Sequence, residues 1–71
     1  MRALLTFDTT HHALWAEEVL QERGFACDVV PAPAAAAARC NLALEILPEE
    51  WSDAMAALQS AGVPFTTFQA D

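Results

Sequence analysis

The sequence predicts a small α+β domain whose elements run strand, helix, strand, strand, helix, strand, and three observations predict it. Apolar runs of strand length alternate with longer segments whose apolar residues recur every three or four positions. Each of those longer segments is followed by one of the chain's two glycines, Gly24 and Gly62, where a left-handed helix stop is wanted. And 71 residues hold one compact domain, residues 1–71, whose 55% hydrophobic share commits it to burying a core.

Residues 3–7 are a short apolar run closed by the turn-prone Asp8, Thr9 and Thr10, and are expected as the first strand. Thr9 or Thr10 caps a helix over about residues 10–23, with Ala13, Ala16, Val19 and Leu20 on one face. Phe25, Cys27 and Val29 alternate with Asp28 in a second strand, which Pro31 ends because it cannot continue a ladder. Two prolines and five consecutive alanines follow. That connector is longer than a hairpin needs, so it is expected to hold a helical turn, for which alanine is the best former.

Leu42, Leu44 and Ile46 alternate with Ala43, Glu45 and Leu47 in a third strand that starts right after Cys40. Pro48 suits a first helical position, Glu49 and Glu50 favour the positive end of a helix, and Trp51, Ala54, Met55 and Leu58 form an apolar stripe. Residues 65–68, reached through Pro64, are expected as a fourth, edge strand. This order is the ferredoxin-like arrangement, βαββαβ, a four-stranded antiparallel sheet with both helices on one face. A sheet with one uncovered face suits a homodimer, which a chain this small has reason to form.

Composition excludes several functions. Ten acidic residues face three arginines and no lysine, a net charge of −7, so no basic patch exists to neutralise nucleic acid or an anionic membrane. No phosphate-cradling glycine loop is present, since Gly24 and Gly62 are both explained as helix stops. The apolar run at residues 29–38 is about half the ~20 residues of a spanning helix and is broken by Pro31 and Pro33. No segment reads as an export signal, so a cytoplasmic setting is expected, in which two cysteines stay reduced.

Chemistry points first to Cys40, flanked by Arg39 and Asn41 in a connector otherwise short of polar side chains. A nucleophilic cysteine acts as its thiolate, which a neighbouring cation stabilises, and Arg39 is that cation. The alternative is a small buried hydrophobe at a strand start. Cys27 shares a face with Phe25 and Val29 and is expected to be buried; a resolving partnership with Cys40 requires disulfide geometry. His11 and His12 point about 100° apart on a helix and make a poor chelate, so no metal is expected, although Asp8, Cys40 and a histidine would form a site if their loops converged. Trp15 falls off the apolar line beside Glu18 and marks a possible contact surface, while Glu17, Glu18 and Glu22 read as a solvated helix face.

Thr6-Phe7-Asp8-Thr9-Thr10-His11-His12-Ala13-Leu14, then Val30-Pro31-Ala32-Pro33, then Cys40-Asn41-Leu42-Ala43-Leu44, resemble the selenium/sulfur carrier protein-like family across nearly the whole chain. The resemblance implies a small bacterial protein in which Cys40 accepts sulfur or selenium as a persulfide or perselenide and hands it on. It implies an exposed thiolate, donor and acceptor proteins that dock, and no cofactor. The family usually has glycine where this chain has Asn41, which tolerates a left-handed backbone and is expected to keep the turn. It also tends to place a basic or polar residue where this chain has Ala34, which leaves Arg39 as the main helper of Cys40. The competing expectation is a noncatalytic, dimeric ferredoxin-like interaction module with structural cysteines.

Overall fold

A computed structural model describes residues 2–70, so Met1 and Asp71 of the expected domain lie outside the described residues. The elements are β1 (Arg2–Thr6), α1 (Thr10–Glu22), β2 (Cys27–Pro31), a 3₁₀ turn (Ala34–Ala36), β3 (Leu42–Ile46), a second 3₁₀ turn (Pro48–Glu50), α2 (Trp51–Ala61) and β4 (Thr66–Ala70). The four strands form one antiparallel sheet in the order β2-β3-β1-β4. This is the ferredoxin-like α+β fold, with the two split units interleaved so that β1 and β3 lie at the centre.

Local chemistry accounts for the ends of the elements. Thr9 is the cap of α1, its hydroxyl accepting from His12 N–H at 3.1 Å. Both helices close the same way. Gly24 and Gly62 turn left-handed at φ +84° and +81°, and the following residues reach back, Phe25 N–H to Leu20 O at 2.9 Å and Val63 N–H to Leu58 O at 3.0 Å. This is the paired-bond stop that only a residue tolerant of positive φ allows.

Three boundaries differ from expectation. The second strand starts at Cys27 and not at Phe25, and runs to its expected end at Pro31, whose missing N–H costs nothing on the outer side of an edge strand. Helix two opens with a tighter 3₁₀ turn at Pro48–Glu50, closed by Glu50 N–H on Leu47 O at 2.9 Å. The fourth strand begins at Thr66, opposite Thr6, which leaves Phe65 half-buried against the core before pairing starts.

Alternation along the strands turns Leu5, Phe7, Leu44 and Ile46 to the helices. They meet Ala13, Ala16 and Leu20 of α1 and Ala54, Ala57 and Leu58 of α2. Alanines on both helix faces let the backbones approach the sheet closely. Val29, expected on the same face, is 40% exposed because its edge strand runs beyond the helices' cover. The opposite face carries Leu4 and Ala43 at its centre and an exposed Arg2–Glu45 ion pair at 3.0 Å.

Candidate functional site

Cys40 lies in the bend at residues 39–41, at the end of the sheet where β1 stops, α1 starts and β3 begins. Its N–H donates to Phe7 O at 3.2 Å, so the loop is pinned to the end of β1 one step beyond the Thr6↔Ala43 pair. The neck of the loop is closed by Ala32 N–H on Asn41 O at 2.7 Å. Between those ties the chain makes its 3₁₀ turn, as the alanine run predicts, and then turns left-handed at Ala37, φ 52°. Ala37, and not Asn41, carries the positive-φ position of this loop.

Two groups face the sulfur. Leu42 N–H donates to Cys40 Sγ at 3.3 Å, and Thr10 Oγ1 lies 3.6 Å from it, with either of that pair able to donate. Thr10 is the first residue of α1, so the sulfur also sits beside the positive end of that helix. An anionic sulfur there accepts from both groups. The side chain is 5% exposed and packs in the core cluster with Phe7 and Ala13. It is therefore a sheltered sulfur and not the open thiolate that the resemblance implies.

The flanking residues are placed differently. Arg39 is exposed and makes no hydrogen bond or ion pair among the described residues, although it is the only charged residue between Asp28 and Glu45. Asn41 is exposed and serves the loop through its backbone carbonyl. Among the described residues no three His, Cys, Asp or Glu side chains gather as metal ligands do. His12, half-buried, lies between His11 and Trp15 with ring centroids at 5.9 and 6.4 Å, and its Nδ1 is buried with no partner among the described residues. It is Thr10, not a histidine, that meets Cys40.

Cys27 is at the other end of the sheet. It stands opposite Ile46, whereas Cys40 precedes Leu42, and the four steps from Leu42 to Ile46 alone span about 13 Å. No disulfide between the two is possible without unfolding the strand. Burial pushes the Cys27 thiol up from its ordinary value, and the Glu17 and Asp28 carboxylates push it further the same way.

The family model described as "Putative Se/S carrier protein-like" matches residues 2–69, which include this loop and the β1–α1 turn. The chain belongs to that family. As a Se/S carrier-like chain it is matched from the first described strand to within two residues of its end. No curated protein and no solved structure matches it. The neighbour of Cys40 that sequence reasoning missed in this Se/S carrier-like domain is Thr10, read only as a candidate helix cap; nothing local announces that a sulfur thirty residues on will land beside it.

Proposed function

We propose that the protein is a thiol-based sulfur or selenium carrier and that Cys40 is the carrying atom. The observation that supports this most directly is the pair of groups at Cys40 Sγ, Leu42 N–H at 3.3 Å and Thr10 Oγ1 at 3.6 Å, beside the N-terminus of α1. Both groups can hydrogen-bond to a sulfur that attacks as its thiolate or carries a further sulfur atom. In the loading step Cys40 thiolate attacks the terminal sulfur of a donor's persulfide. The donor's S–S bond breaks, a new S–S bond forms on Cys40, and the donor leaves as a thiolate, with no net oxidation. Hand-over to an acceptor thiolate is the same exchange in reverse, and selenium follows it as a perselenide.

Arg39 adds a longer-range positive potential for the anionic partner atoms, and Asn41 holds the neck of the loop through its carbonyl. A reducing, cytoplasmic setting in a bacterium suits a chemistry that needs free thiols. The test is to load the protein with a low-molecular-weight persulfide and then measure the sulfur it releases to cyanide as thiocyanate. Wild type and Cys27→Ser are expected to give one sulfur per chain and Cys40→Ser none; equal release from Cys40→Ser would sink the proposal.

A second reading is favoured by the 5% exposure of Cys40 and its place in the core cluster. In it the cysteine is structural and the chain is an interaction module that dimerises through the sheet face bearing Leu4 and Ala43. That reading requires Cys40→Ser to lower stability while leaving sulfur release unchanged, and a dimer in sedimentation that Phe68→Lys, on the same face opposite Leu4, dissociates.

A further inference from the structure

We infer that the solvent-facing crest of α1 is the surface on which the donor or acceptor protein docks, and that this partner presents an apolar protrusion ringed by lysine or arginine. His11, Leu14, Trp15 and Glu18 line a shallow concavity of about 370 Å³ on that crest. Leu14 is 50% and Trp15 37% exposed, side by side on a helix whose other face already holds the core residues Ala13, Ala16 and Leu20. Neither belongs to the core cluster or packs against it. An exposed tryptophan beside a leucine is the composition of an interface centre.

Charge selects the occupant. Glu18 stands in the concavity, Glu17 and Glu22 lie along the same helix, and Asp8 is exposed just before it, on a chain of net charge −7. A second copy of this chain, a nucleic acid or an anionic membrane would bring like charge to that rim; a basic protein surface is drawn to it. Position links the crest to the sulfur. Leu14 is one helical turn, about 6 Å along the axis, from Thr10, whose hydroxyl is 3.6 Å from Cys40 Sγ. A partner seated on Leu14 and Trp15 has its edge over the Cys40 loop. The choice of a sulfur-bearing partner rests on the carrier reading, but docking is measured apart from transfer.

The probe is a short synthetic helix with a leucine–tryptophan stripe flanked by lysines, ending in cysteine persulfide or, for binding alone, in serine. Titration of the serine peptide, followed by amide chemical shifts, is expected to move the signals of Leu14, Trp15 and Glu18. The Leu14→Gln/Trp15→Gln variant keeps the net charge and is expected to weaken binding about tenfold or more. Its far-ultraviolet circular dichroism and melting curve check that the fold stands. Absence of binding, shifts centred on another face, or equal binding by that variant would overturn the inference. With the persulfide peptide, wild type is expected to load Cys40 faster than the variant does, while a small-molecule persulfide loads both alike. Binding at the crest without loading of Cys40 leaves the docking surface standing and contradicts the carrier reading instead.

Discussion

The two cysteines occupy opposite ends of one sheet and opposite electrical surroundings. Burial on the edge strand β2 pushes the Cys27 thiol up from its ordinary value, and the charges of Glu17 and Asp28 push it the same way. Cys40 is more deeply buried, yet a backbone N–H and a hydroxyl at a helix start face its sulfur. The two sulfurs therefore differ in what surrounds them: burial and carboxylates at Cys27, hydrogen-bonding groups at Cys40.

Removing one sulfur at a time gives the largest contrast. Cys40→Ser is expected to abolish loading by a persulfide, and Cys27→Ser to leave it within about twofold, counted as sulfur added per chain by mass spectrometry. Next in size is loss of the sheet that holds the two sites apart. Leu44, fully buried on the central strand β3 between them, costs about 2–5 kcal/mol when truncated to alanine, which consumes much of the stability of a chain this short. Urea denaturation is expected to show that loss, and both thiols of Leu44→Ala should then react alike.

Thr10→Val keeps the shape of the side chain and deletes its hydroxyl, and is expected to slow Cys40 loading about three- to tenfold, one hydrogen bond's worth, with melting nearly unchanged. The pH arm concerns Cys27. Its folded-state value is raised, so its neutral form contributes stability that is fully present below the unfolded thiol's range near 9 and is lost as pH rises through the folded value. Melting temperature is therefore expected to fall more steeply above that pH in wild type than in Cys27→Ser. Glu17→Gln with Asp28→Asn should bring alkylation of Cys27 to lower pH, but not to a free thiol's, because burial is the larger cause. Smallest is Arg39→Gln, an exposed charge screened by salt, with about a twofold slowing of Cys40 loading that vanishes at high ionic strength.

The element order was legible because it rests on local chemistry: the glycine stops at Gly24 and Gly62, the Thr9 cap and the alternation of Leu42, Leu44 and Ile46 are written within a few residues of where they act. The alanine run likewise announced its helical turn. Cys40 stood out by its isolation among apolar neighbours, but its surroundings did not. Thr10 reaches it across thirty residues of chain, through the pairing of β1 with β3, and such a contact leaves no trace in spacing. The same distance explains the weight given to Arg39. Adjacency in sequence suggested an ion partner, whereas the bend turns Arg39 into solvent and sets Cys40 inward.

The most direct single measurement is site-resolved mass spectrometry of the wild-type protein after exposure, folded and near neutral pH, to a limiting amount of persulfide donor. The added sulfur is expected on Cys40, with Cys27 unmodified in the same molecules. Sulfur on Cys27, or on neither cysteine until urea unfolds the chain, would contradict the assignment of Cys40 as the carrying atom.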